Sequence, residues 1–293
     1  MAPGKQKPEL LVIVGPTASG KSDLAMSLAR QYDSEIICAD SRTIYKGMDI
    51  GTAKPSQQDQ KEIKHWGLDL IKPGQAYSAE KFKTYAKAKI ADIQKRGKLP
   101  IMVGGTGLYI DGVIFDFKFR PATDSRLRLK LEALDVEKLQ EKIKELGYPM
   151  PENAKNKRYL IRTIEAGGQP ASRQPKPAYR CVIIGINPTD EELHQNIAKR
   201  TEAMFQQGVV NETRDLINKY GRLALDKTSG LVYDLCVRVI DGSISEVEAK
   251  ELYETLDWQY AKRQRTWFKR NPYISWYSDK KMAKKAILPL LNN

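Results

Sequence analysis

The chain has 293 residues, 41% of them hydrophobic, and a formal net charge of +13. That is enough for one large or two ordinary domains, and basic enough to suggest a polyanionic partner, most simply nucleic acid. Three cysteines (Cys38, Cys181, Cys236) and two histidines (His65, His194), without disulfide or metal spacing, exclude a structural zinc site and fit a reducing compartment.

The first apolar stretch, residues 10–14, predicts a buried strand. It runs into Gly15, Pro16, Thr17, Ala18, Ser19, Gly20, Lys21 and Ser22, and then into a helix-like stretch at 23–30. In that strand–loop–helix setting the pattern G-x-x-x-x-G-K-[ST] is a phosphate-binding loop. Gly15 and Gly20 let the backbone wrap closely around an anion. Successive N–H groups and the helix N-terminus then point at phosphate oxygens. Lys21 supplies a point charge, and the Ser22 hydroxyl is a ligand for Mg²⁺. The loop specifies a polyphosphate but not which one.

A second strand is expected at 35–39, ending at Asp40 and Ser41. A carboxylate there either holds the Mg²⁺ of a bound polyphosphate or acts as a general base, unless the pair only caps a turn. Residues 79–96 predict a helix, and 99–103 a further buried strand before Gly104, Gly105, Thr106 and Gly107. That turn lets backbone approach a ligand closely and offers one hydroxyl. Strands alternating with helices predict an α/β fold, a P-loop NTPase-like parallel sheet flanked by helices. Ligands of such sheets sit beyond the carboxyl ends of the strands. The phosphate loop, Asp40 with Ser41, and 104–107 should therefore meet in one crevice.

From Pro121 the pattern changes. Residues 124–146 and 156–166 read as helices with charges on one face, 167–178 as a linker rich in Gly, Pro and Gln, and 181–186 as a returning strand. The expected organisation is a first part of the core at 1–120, a helical insertion domain at 121–177, and core completion with C-terminal helices at 178–293. Arg126, Arg128, Arg158 and Arg162 lie on the insertion, as phosphate clamps, RNA-backbone contacts or ordinary solvated helix charges. Helices follow at 190–207, 209–219, 230–240 and 245–269, the last with Ser245 as N-cap and Glu246 and Glu248 in an acidic first turn. A short last strand is expected at 273–277. Between Trp258 and Lys285 stand nine Lys or Arg against one acid, Asp279, interleaved with aromatics. Such a mixture serves phosphates and stacked bases, or a helix with a wet basic face. No apolar run reaches membrane-spanning length, and residues 1–9 lack a signal-peptide core. The expectation is a cytoplasmic protein without a membrane partner, monomeric by default. Up to this point the residues describe a small-molecule kinase as well as a transferase with a pyrophosphate leaving group.

The chain closely resembles the bacterial tRNA dimethylallyltransferase (tRNA isopentenyltransferase) family. The matching stretches are GPTASGKS at 15–22, ADSRTIYKGMDIGTAKP at 39–55, QAYSAEKF at 75–82, VGGTGLYI at 103–110, NKRYLIRTIE at 156–165 and QYAKRQRTWF at 259–268. The resemblance implies transfer of a dimethylallyl group from dimethylallyl diphosphate to the exocyclic N6 amine of adenosine 37, just 3′ of the anticodon, with release of diphosphate. It implies that Gly15, Thr17, Ala18, Ser19, Gly20, Lys21 and Ser22 bind the donor's diphosphate rather than ATP, with Mg²⁺ near Ser22. It makes Asp40 the base, with Lys21 and Thr106 completing the catalytic set. It further implies that Asp40, Ser41, Arg42, Thr43, Thr106, Arg128, Arg158, Arg162, Lys262, Arg263, Gln264, Arg265 and Thr266 meet the tRNA anticodon stem-loop. The target base would be flipped into the crevice, because its amine is otherwise stacked.

The chain departs from the family at one place. Members usually carry Gly-Tyr followed by Lys or Arg, where this chain reads Lys227, Thr228, Ser229, Gly230, Leu231, Val232, Tyr233. Some members have an arginine that helps hold the diphosphate at the position of Lys227, which offers a point charge without the bidentate fork.

Overall fold

The computed structural model describes residues 7–119, 125–169, 172–228 and 230–291. Residues 1–6, Pro121, Asp124, Pro170 and Ala171 of the expected linker, and Ser229 of the altered stretch lie outside the described residues.

Six strands form one parallel sheet: β1 (Leu10–Val14), β2 (Glu35–Cys38), β3 (His65–Trp66), β4 (Pro100–Gly104), β5 (Cys181–Ile186) and β6 (Ile274–Tyr277), in the order β3-β2-β4-β1-β5-β6. Central β1 and β4 are buried along their whole length, as their unbroken apolar runs require. Val12 pairs with Met102 on one side and Ile183 on the other. The helices before residue 115 are α1 (Lys21–Tyr32), α2 (Gln57–Glu62), α3 (Ala79–Lys95) and α4 (Gly107–Ile114). Then come α5 (Ser125–Glu132), α6 (Val136–Glu145) and α7 (Lys157–Glu165). The rest are α8 (Asp190–Gln206), α9 (Val209–Tyr220), α10 (Arg222–Thr228), α11 (Leu231–Ile240), α12 (Glu246–Phe268) and α13 (Lys280–Leu291). Among the described residues none is long and apolar enough to cross a membrane.

Two cores set the site. Leu24 and Leu28 of α1 and Ile287 and Leu291 of α13 pack with Ile13, Ile36, Ile101 and Ile184 of the sheet. Ile44 and Met48, just beyond Asp40, are buried with Val209, Leu216 and Tyr233. That second cluster anchors the chain leaving β2. The α12 start is a reciprocal cap: Ser245 Oγ accepts from Glu248 N at 3.2 Å, and Ser245 N donates to Glu248 Oε2 at 2.7 Å.

The single helix expected over 124–146 is two helices. Asp135 accepts from Lys138 N at 2.8 Å and starts α6 afresh, because an N-cap carboxylate competes with helix continuation. Short α2, α4, α10 and β3, and the closing α13, carry no clear sequence signal and were not expected.

The chain divides into two compact units, one made of Met1–Ile114 and Pro177–Asn293, the other of Phe115–Lys176. In the smaller unit α5, α6 and α7 enclose Leu131, Leu139, Ile143, Leu160, Ile161 and Ile164. Leu160 is fully buried there. Leu160→Ala should cost that unit about 2–5 kcal/mol. Hydrogen exchange should quicken across α5–α7 while β1 and β4 keep their protection. Equal loss of protection in β1 and β4 would show that the units unfold together.

Candidate functional site

The carboxyl end of β1 turns at Gly15, where a Cβ would overlap the Ile186 carbonyl and the Ser19 hydroxyl. Only a glycine lets β1 leave the sheet that close to β5. Ala18 and Gly20 then take left-handed backbone conformations (φ 56° and 82°), and α1 begins at Lys21 with no side-chain cap on its first amides. A left-handed turn feeding an uncapped helix start leaves N–H groups for an anion. The Ser19 hydroxyl is buried without a hydrogen-bond partner among the described residues. Lys21 Nζ curls back to donate to the Pro16 carbonyl at 3.0 Å. Burial pushes the Lys21 ammonium down to about 8, against the pull of the Asp40 carboxylate. A lysine so desolvated gains strongly from an arriving anion.

The ends of β2 and β4 are tied together. Ala39 N donates to Val103 O at 2.7 Å, and Thr106 N to Ala39 O at 3.3 Å. Gly104 permits this approach, since a Cβ there would overlap the Ala39 carbonyl. Ser41 N donates to Thr106 Oγ1 at 3.0 Å. Asp40 Oδ1 accepts from Arg42 N at 2.8 Å, and the Thr43 hydroxyl donates to the Asp40 carbonyl at 3.5 Å. Arg42 is held by donating to the Thr228 carbonyl at 2.5 Å. Asp40 and Thr106, distant in sequence, thus share one turn-to-turn network. The Tyr260 hydroxyl joins it at Thr106, and burial, then the Asp40 charge, pushes that phenol up to about 12.

Helix α12 lines the same end of the sheet with Asp257, Tyr260, Gln264 and Trp267, whose 3-4-3 spacing puts them on one face. Gln264 Oε1 accepts from Thr17 N at 2.7 Å, and Gln264 Nε2 donates to Gly105 O at 3.0 Å. Trp267 Nε1 donates to Asp111 Oδ2 at 2.7 Å. Arg200, from α8, donates to both Tyr253 Oη and Asp257 Oδ2 at 2.9 Å. Burial raises the Asp257 carboxyl, with Arg200 and Lys21 opposing. Burial works against the Arg200 charge, but Tyr253 and Asp257 hold it above the ordinary arginine value. Sequence reasoning missed Arg200 and Asp257. The one available signal was that 3-4-3 spacing of polar and aromatic residues.

The sequence-predicted residues separate into three groups. Gly15, Thr17, Ala18, Ser19, Gly20, Lys21, Ser22, Asp40, Ser41, Arg42, Thr43 and Thr106 all lie at the carboxyl ends of β1, β2 and β4. Lys262, Arg263 and Thr266 face outward, and with Gln259, Trp267 and Arg270 they line an open groove of about 470 Å³. Arg128, Arg158 and Arg162 belong to the smaller unit, where Arg128 pairs with Glu132 at 2.9 Å and Glu165 at 3.2 Å. Two further residues of the C-terminal motif, Gln264 and Arg265, are held by partners inside the protein. Gln264 is buried with both ends of its amide engaged inside the protein, and Arg265 is paired with Asp190 and the Pro188 carbonyl. Lys227 is exposed, one residue before Thr228, the residue that holds Arg42. Tyr233 of the altered stretch is buried, donating to Glu212 Oε1 at 2.6 Å, while the Glu212 carboxylate caps the amides of Asp49, Ile50 and Gly51.

A family model described as IPP transferase matches residues 43–271. A tRNA dimethylallyltransferase from Staphylococcus haemolyticus is 36% identical, over 96% of this chain and 90% of its own length. One from Acetivibrio thermocellus is 38% identical, over 94% and 95%. The crystal structure of a tRNA isopentenylpyrophosphate transferase from Staphylococcus epidermidis superposes with a TM-score of 0.73 at 34% identity, covering 98% of this chain and 99% of that one. These relatives span the phosphate loop and Asp40, which the family model leaves outside its match. The chain belongs to the IPP transferase family.

Proposed function

We propose that the chain transfers the dimethylallyl group of dimethylallyl diphosphate to the exocyclic N6 amine of adenosine 37 in tRNA, releasing diphosphate. One observation carries this reading: the phosphate loop and the Asp40–Thr106 network stand side by side at the carboxyl end of one sheet. A donor diphosphate lies against the amides of 18–22, with the Lys21 ammonium neutralising its charge. Its allylic carbon then faces the turn that holds the acceptor. The adenine amine is a weak nucleophile because its lone pair is delocalised into the ring. As the new C–N bond forms and the C–O bond to diphosphate breaks, the N6 proton passes to the Asp40 carboxylate. The leaving diphosphate keeps the bonding pair, and the loop amides and Lys21 stabilise it. The Thr106 hydroxyl, fixed by Ser41, positions the amine beside Asp40.

Mg²⁺ fits the donor set. Ser22 presents a hard hydroxyl oxygen in the first turn of α1, and no cluster of three or more His, Cys, Asp or Glu among the described residues offers a cage of its own. Such an ion, held by Ser22 and the diphosphate, would neutralise leaving-group charge. The basic groove at Lys262, Arg263 and Thr266, and Arg128, Arg158 and Arg162 of the smaller unit, supply backbone contacts for an anticodon stem-loop. The kinase alternative is not favoured, because the relatives that match nearly the whole chain are named for prenyl transfer to tRNA.

The test is incorporation of labelled dimethylallyl diphosphate into an unmodified tRNA transcript with adenosine at position 37, with Mg²⁺ and an ATP-only control. Incorporation should vanish when that adenosine is replaced. ATP turnover without incorporation would restore the kinase. Asp40→Ala should lower turnover about 10²- to 10⁴-fold while tRNA affinity changes little. Near-normal turnover would remove Asp40 as the base. Lys21 supplies a pH signature. Its amine stands at about 8 in the free chain, and a diphosphate favours the ammonium. Above about pH 8, donor binding should therefore weaken and take up a proton, measurable by calorimetry in buffers of different ionisation enthalpy. Lys21→Arg, which stays charged, should bind without that uptake. Identical uptake in the variant would place the titrating group elsewhere.

A further inference from the structure

Gln264 is 5% exposed, although Lys262, Arg263 and Thr266 around it face solvent. Its amide lies between two loops that the chain reaches far apart in sequence. Oε1 takes the N–H of Thr17 in the phosphate loop, and Nε2 gives a proton to the carbonyl of Gly105, beside Thr106. Backbone N–H can only donate and backbone C=O can only accept, so the orientation of the amide is fixed by its partners. Gly105 is shaped to this contact, since a Cβ there would overlap Gln264 Nε2.

We infer that Gln264 is a positioning residue, a brace that sets the distance between the donor loop and the acceptor turn. The inference rests on the transfer reaction proposed above. Transfer needs the allylic carbon and the amine about 3–3.5 Å apart, and misplacement by an ångström costs about a hundredfold. The donor sits on the Thr17 side and the acceptor on the Thr106 side. One rigid planar amide hydrogen-bonded to both loops fixes that gap independently of either ligand. Tyr260, one helical turn earlier on the same face, touches Thr106 and keeps α12 in register with the acceptor turn. Both ends of the brace are engaged inside the protein, which separates it from the outward residues of the same motif.

Two variants test it. Gln264→Met keeps the volume and removes both hydrogen bonds. It should lower kcat about 10- to 100-fold at saturating substrates, with tRNA Kd within about twofold of wild type. Gln264→Glu keeps an acceptor for Thr17 and, as a carboxylate, sets a charge against the Gly105 carbonyl. Once protonated, the introduced carboxyl both accepts and donates like the amide. Burial raises its titration, so its activity relative to wild type should recover as the pH is lowered. That profile decides the matter even if the methionine variant folds poorly. A pH-independent deficit in Gln264→Glu, or weakened tRNA binding with wild-type kcat in Gln264→Met, would overturn the brace. The wild-type chain is the control: absence of transfer by it overturns the reaction, whereas wild-type transfer with a flat Gln264→Glu ratio overturns only the brace.

Discussion

The site depends on the close approach of the chain where β2 and β4 leave the sheet. Parallel pairing brings Cys38 opposite Val103, and the hydrogen bonds of Ala39 with Val103 and Thr106 continue the ladder past the last strand residue. Gly104 is the residue that lets this happen. Because the ladder extends into the loops, Asp40 and Thr106 are placed by the sheet and not by flexible segments. A proton acceptor held by strand geometry is pre-organised, which is where most catalytic advantage of a base and a leaving-group cradle arises.

Charge completes the arrangement. Lys21, Asp40, Arg200 and Asp257 act on one another in a poorly solvated space, and each changes its neighbours' titration. Two cations facing two carboxylates bring these four side chains near neutrality. An anion arriving there would stabilise the Lys21 ammonium that burial disfavours. Arg200 brings a second positive charge to act on Lys21, at a place the motif pattern does not predict.

The strand–loop–helix at 10–30, the strands at 35–38 and 100–104, and the convergence of their ends were legible in the sequence. Each rests on local signals: unbroken apolar runs, glycines at turns, and a motif with a physical meaning. The helix break at Asp135 was not read, because a charged residue at helical spacing looks the same in a wet helix face as in an N-cap. Arg200 and Asp257 were hidden for a different reason. A half-buried ion pair joining α8 to α12 leaves no local trace, and a lone charge in an amphipathic helix reads as solvated. Gln264 sat inside a recognised stretch, yet its direction is set by helical phase: four and seven residues from Tyr260 and Asp257 it points inward, while Lys262 and Arg263 point out.

The proposed reaction requires the carboxyl end of one sheet to hold both the leaving diphosphate and the attacking amine. The most direct measurement is a crystal structure of the chain with an anticodon stem-loop and an uncleavable analogue of dimethylallyl diphosphate. The diphosphate should lie on the amides of 18–22 with the Lys21 ammonium. The adenosine 37 amine should stand within hydrogen-bond reach of Asp40 and about 3–3.5 Å from the allylic carbon. A diphosphate bound away from that loop, or an amine directed away from Asp40, would contradict it.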